Sequence, residues 1–152
     1  MMNRKRTGQS TIELVLLLFL IIVMGLLCLD VGAALVGAFA NETAGRNAAR
    51  AAAQADSRDT ALALAQAAVK SYAAGGMLQT PVTVDTGSFI YQDFLGNPPA
   101  GFSPFVRVTN RVTVKVPAPD LMLGGKLGPN GTITFVATHV YPIVKTRMYT
   151  QQ

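Results

Sequence analysis

The sequence predicts an α+β protein: a long N-terminal membrane-spanning helix continuing into an alanine-rich helical region, then a small antiparallel β-sheet packed on a helix. Three observations carry this expectation. Residues 14–29 contain no charged residue and a single glycine. Thirteen of the 27 residues from Ala48 to Ala74 are alanine, the strongest helix former. From Pro81 onward apolar and polar residues alternate, the period of a half-buried strand. The 152 residues have room for one small domain and an anchor.

The apolar run reads LVLLLFLIIVMGLLCL from Leu14 to Leu29. With Ile12 it reaches 18 residues, broken only by Glu13, and as a helix it is about 27 Å long. A bilayer core is about 30 Å thick, so the run is a transmembrane helix. After Asp30 the chain stays apolar to Ala40, which leaves the outer limit of the span open. The basic cluster Arg4, Lys5 and Arg6 precedes the run and favours a cytoplasmic N-terminus. Everything beyond about residue 41 is then extracytoplasmic. Small residues recur along the helix: Gly25, Cys28 and Gly32 on one stripe, and Ala33, Gly37 and Asn41 on another. Gly25, Gly32 and Gly37 therefore stand out as positions where another helix can approach closely.

Helical character continues from residue 31 to 74. Glu42 and Arg46 are four apart in the favourable order, with Arg50 one turn further. A break is expected at Asp56-Ser57-Arg58-Asp59, where Asp56 or Ser57 caps a second helix. On that helix Leu62, Ala65, Val69 and Tyr72 share a face able to pack on a sheet, and Gly75-Gly76 ends it. One or two short strands follow over residues 82–91, with Val82, Val84, Phe89 and Tyr91. The clearest strand is 105–116. Val106, Val108, Val112, Val114 and Val116 point one way; Arg107, Thr109, Arg111, Thr113 and Lys115 point the other. Asn110 interrupts the apolar face and marks a bulge or an edge. Pro117 and Pro119 end the strand, and a glycine-rich loop over residues 118–131 leads to a last strand from about Thr132 to Val144. Ile133, Phe135, Ala137, His139 and Tyr141 share one of its faces.

The composition argues against several functions. A soluble domain has about a quarter of its residues charged; here the figure is 14%. Neither a wholly soluble chain nor a disordered one fits. The net charge of +5 includes the N-terminal cluster, and the remaining basic residues are scattered among acidic ones. No basic stripe interleaves with aromatics, so no nucleic-acid partner is expected. A single cysteine, Cys28, and a single histidine, His139, leave no basis for a disulfide within the chain or a metal centre. Gly124-Gly125-Lys126-Leu127-Gly128 lacks the spacing of a phosphate loop. The aspartates have no metal-ligand spacing, so no cofactor and no catalytic role are expected.

Gly8-Gln9-Ser10-Thr11-Ile12-Glu13, directly before the apolar helix, resembles a type IV prepilin signal. The same residues contain a capping box, Ser10-x-x-Glu13, which satisfies free amides at a helix start. A glutamate at a membrane edge is nevertheless costly, and such residues are usually kept for a function. Together with Leu29-Asp30-Val31-Gly32, the segment Ala44-Gly45-Arg46-Asn47-Ala48-Ala49-Arg50-Ala51-Ala52-Ala53 and the order and length of the β region, the chain resembles the TadE-like family of tight-adherence pilus minor pilins, or pseudopilins. The first half carries the motifs; the second half matches by pattern. Gln9 departs from the phenylalanine that many pilins have there and is closer to the tight-adherence branch.

The resemblance implies a division into residues 1–8, a leader cut between Gly8 and Gln9 by a prepilin peptidase; 9–55, a transmembrane and assembly helix; and 56–152, an exported domain. It implies that Glu13 pairs with the new N-terminal amine of a neighbouring subunit and so sets register between helices. It also implies an inner-membrane location, other pilins or pseudopilins and an assembly platform as partners, and a structural function in assembling or priming a pilus. Two other fates remain open. One is an uncleaved, single-pass anchored binding module. The other is a secreted protein cut after Ala38-Phe39-Ala40, starting at Asn41.

Overall fold

No proline occurs before Pro81, and the apolar run and the alanine-rich segment fold as one continuous helix. In the computed structural model, which describes residues 6–72, 79–121 and 131–143, helix α1 spans Arg6–Ala53, 48 residues and about 72 Å. The Gln54 and Ala55 amides close its end by bonding to the Ala51 and Ala52 carbonyls at 3.2 Å. Ser57 then caps α2 (Arg58–Lys70), its hydroxyl accepting from the Thr60 amide at 3.3 Å. The four-residue connection turns α2 back along α1, as short helix–helix links do. The Asn47 side-chain amide accordingly meets the Tyr72 hydroxyl. The buried face of α2 is Ala61, Ala65 and Val69, with Leu62 and Tyr72 half-buried beside it. α2 ends earlier than expected, at Lys70, where Ser71 donates its hydroxyl back to the Ala68 carbonyl at 2.7 Å. Gly75-Gly76 lies outside the described residues.

The sheet is built around its longest apolar strand. β1 is Thr83–Val84, β2 Ile90–Gln92, β3 Phe105–Lys115 and β4 Thr132–Pro142. All pairings are antiparallel. β4 covers the whole length of β3, from Phe105 opposite Pro142 to Lys115 opposite Thr132. β1 and β2 share β3's other edge, at Asn110–Arg111 and Phe105–Arg107 respectively. β3 is therefore the centre of the sheet. Val144 and the remainder of the expected last strand lie outside the described residues, as does most of the glycine-rich loop. The described start of that loop is a short 3-10 turn, Pro119–Leu121. Its far end is Gly131, held at φ +68° with its carbonyl accepting from Val116 N–H at 2.9 Å.

The alternation of β3 does what its pattern requires. Val106, Val108, Val112, Val114 and Val116 are all buried, each worth about 1.5–3 kcal/mol of apolar transfer. Over them lies the second half of α1, which presents Ala44, Ala48, Ala49, Ala52 and Ala53 to the core. Alanines keep the helix axis close to the sheet. Packing thus begins well before residue 56, and the 55/56 division of the chain runs through a single core. Asn110 marks neither a bulge nor an edge: it is fully buried in the middle of the central strand, with unbroken register on the β4 side. The reason lies in what faces it on α1.

Candidate functional site: the stem and its seat on the sheet

The N-terminal part of α1 is a bare stem. Leu14 to Ile22, apart from half-buried positions further on, are more than half exposed. Among the described residues this is one helix long and apolar enough to cross a membrane. Glu13 lies on its exposed surface. Gly8 and Gln9 fall in the first turns of α1, which opens at Arg6. Ser10 therefore sits inside the helix and is not its N-cap. Arg4 and Lys5 lie outside the described residues. At Gly25 and Gly32 a Cβ would meet nothing within 4 Å, so both positions are open to a neighbour.

The stem becomes part of the domain at Asp30. Its side chain is fully buried, and Oδ1 accepts from the Ala118 amide at 3.0 Å. About two turns further along, Gly37 meets β3: a Cβ there would overlap Val114 Cγ2. The close approach made by Gly37 is thus to the chain's own sheet. Asn41 comes next on the same stripe. Its carbonyl and its Oδ1 both accept from Asn110 Nδ2, at 2.6 and 2.7 Å, and its own Nδ2 donates to the Phe135 carbonyl at 3.3 Å. A Cβ at Gly45 would overlap Asn110 Oδ1 and stand 2.6 Å from His139 Cδ2. Gly45 is the gap into which both side chains fit.

These contacts fix direction as well as distance. Moving outward along α1 from Gly37 through Asn41 and Gly45 to Arg50, the partners on β4 run from Phe135 through His139 to Tyr141. β4 runs with the helix, and β3 runs back toward the apolar stem. Beyond Asn41 the solvent side of α1 turns polar. Glu42 Oε1 accepts from Arg46 at 2.9 Å, the pair foreseen from their spacing. Glu42 Oε2 is 3.4 Å from His139 Nε2. Arg50 donates to the Tyr141 hydroxyl at 3.0 Å and lies 5.6 Å from its ring centroid.

On the outer face of the sheet, Arg111 pairs with Asp85 at 2.8 Å. The Gly87 amide donates to the same carboxylate at 3.1 Å. This amide first, and Arg111 second, hold the Asp85 carboxyl below its ordinary value. An open groove of about 430 Å³ between α2 and β1 is lined by Val69, Lys70, Val82 and Val84 among others. Among the described residues no group of three or more His, Cys, Asp or Glu side chains is placed to hold a metal ion.

Sequence reasoning placed Gly37 and Asn41 on one stripe and flagged Asn110 as off-pattern, but it did not join them. Asp30 and Gly45 also position the domain, and no local pattern marks either of them. The available signal was a polar residue on a small-residue helix stripe and another on an apolar strand face, each needing a buried partner. Comparison with family models, characterised proteins and solved structures returns no match.

Proposed function

We propose that the chain is an exported, membrane-anchored structural subunit: a minor pilin or pseudopilin that assembles or primes a tight-adherence pilus after cleavage between Gly8 and Gln9. The observation that supports this most is the continuity of α1. One helix is a bare apolar stem at one end and the core helix of a small α+β domain at the other. A subunit built this way can place its stem in a bundle of like helices while its domain stays outside. In this reading Gly25 and Gly32 receive neighbouring helices, and Glu13 pairs with a neighbour's new amine. The partners are the inner membrane, a prepilin peptidase, other pilins and the assembly platform; the role is structural, with no cofactor.

The test of assembly is recovery of the chain in the sheared surface fraction of cells that express the whole system. Recovery of the wild-type chain, lost on Glu13→Ala while membrane levels hold, supports the reading. Equal recovery of Glu13→Ala, or none of the wild type, contradicts it.

One observation favours a second reading, an uncleaved single-pass module with an extracytoplasmic binding domain. The Gly8–Gln9 bond lies within the helical span of α1, and a peptidase cleaves extended backbone. In that case the groove between α2 and β1 is the first surface to examine for a ligand.

A further inference from the structure

The apolar stem is longer than a membrane needs. Exposed apolar residues extend from Ile12 to Phe39, about 40 Å along the axis against a hydrocarbon core of about 30 Å. Glu13 and the basic cluster before it set the inner limit, so the surplus lies on the outer side.

There the helix has two faces. One carries Asp30, Gly37 and Asn41 and is sealed by β3 and the turn after it. The other carries Val31, Leu35, Val36 and Phe39, which are 49–67% exposed. One turn later on that same face the residues are Thr43, Arg46 and Arg50, all exposed. The outward surface of α1 thus changes from wholly apolar to polar between Phe39 and Thr43. Yet the domain begins to cover the helix at Asp30. The two zones overlap by about ten residues, roughly 15 Å of helix.

We propose that the membrane-proximal part of the exported domain is seated in the outer leaflet, with the Val31–Leu35–Val36–Phe39 face covered by lipid. The argument for lipid is continuity: this face prolongs the transmembrane surface without a polar interruption. Two further features match the placement. Asp30 is turned away from the lipid side and buried against Ala118, as a carboxylate at this depth has to be. Lys115, exposed at the membrane-proximal end of β3, is at the level where a lysine reaches phosphate headgroups. The outer boundary of the hydrocarbon then lies between Asp30 and Phe39, and the aqueous boundary near Thr43.

The proposal depends on the anchored reading, and its test separates the two. The chain has no tryptophan, so Leu20→Trp, Val36→Trp, Phe39→Trp and Thr43→Trp each introduce a single reporter at an exposed position. Each full-length variant is reconstituted into phosphatidylcholine–phosphatidylglycerol vesicles. The vesicles contain lipid brominated either deep or high on the acyl chain. The expected result is strong quenching of the Leu20→Trp reporter by deep bromine. Val36→Trp and Phe39→Trp should be quenched by shallow bromine, and Thr43→Trp by aqueous iodide alone. If Leu20→Trp is quenched but Val36→Trp and Phe39→Trp behave like Thr43→Trp, the domain stands clear of the membrane and the proposal is overturned. Shielding of Val36→Trp and Phe39→Trp from both bromine and iodide would overturn it in favour of a protein partner. An unquenched Leu20→Trp would remove the anchored reading itself.

Discussion

The Asn110 side-chain amide donates to both the carbonyl and the side-chain oxygen of Asn41, at 2.6 and 2.7 Å, across the interface between the central strand and the stem helix. Both residues are almost wholly buried. Apolar contacts between a helix and a sheet tolerate sliding; this buried contact does not, because any shift strips Asn110 Nδ2 and Asn41 Oδ1 of their partners, beside an Asn110 Oδ1 that is already buried without one. The pair therefore fixes the register of the domain on the helix, and with it the distance of the domain from the apolar stem.

Asn110→Ala is expected to lower the stability of the full chain in detergent by about 2 kcal/mol, since Asn41 loses its donor in a buried site. The double variant Asn41→Ala/Asn110→Ala should cost less than the sum of the two single changes, as directly coupled residues do. Denaturant melts followed by circular dichroism measure all three. Simple additivity would contradict the coupling.

The glycines of α1 fall into two classes. Gly37→Ala and Gly45→Ala force a methyl into Val114 and into Asn110 and His139. The expected loss is about 1–3 kcal/mol of domain stability, despite the better helix propensity of alanine. Gly25→Ala and Gly32→Ala meet nothing within the chain and should leave the fold intact or stabilise the helix by up to about 1 kcal/mol. If these two face neighbouring helices, they will instead reduce recovery of assembled subunit. Thermal melts set beside shear-fraction recovery separate the two effects.

Asp30→Leu removes the acceptor for the Ala118 amide. Hydrogen exchange at Ala118 should accelerate roughly fivefold, the effect of about 1 kcal/mol. Asp30→Asn retains an acceptor oxygen and should protect the amide nearly as well as the wild type. Unchanged exchange in Asp30→Leu would show that the contact does not hold the turn.

Asp85 supplies a pH signature. Its carboxyl is held below the ordinary value by the Gly87 amide and by Arg111. A depressed folded-state value stabilises above the ordinary carboxylate range and is lost as pH falls through the lowered value. Asp85→Asn should therefore melt below the wild type at neutral pH, and the two curves should converge in acid. A difference that stays constant with pH would contradict the assignment.

Much of the fold was legible in the sequence because its signals are local and periodic. The alternation of Val106 to Val116 named its buried face, Ser57 capped α2 as foreseen, and Glu42 paired with Arg46. The seat of the domain was not legible, for a physical reason. Asn41 meets Asn110 across 69 residues, and Asp30 meets Ala118 across 88. Nothing in local propensity links such positions. Asn110 looked like a flaw in a strand because its partner lay on another element. Gly37 looked like a site for a neighbouring helix because stripes of small residues serve both purposes. The end of α2 was misplaced because Gly75-Gly76 is a stronger stop signal than the serine that ends it.

In the proposed function the stem is matured by removal of the leader and retained. The mature N-terminus of membrane-extracted protein tests it most directly, by intact mass and N-terminal peptide mapping with and without the cognate prepilin peptidase. The expected result is a start at Gln9 only when the peptidase is present. A start at Met1 or Met2 in both samples would contradict it and leave an uncleaved anchored domain, and a start at Asn41 would mean that the stem is discarded.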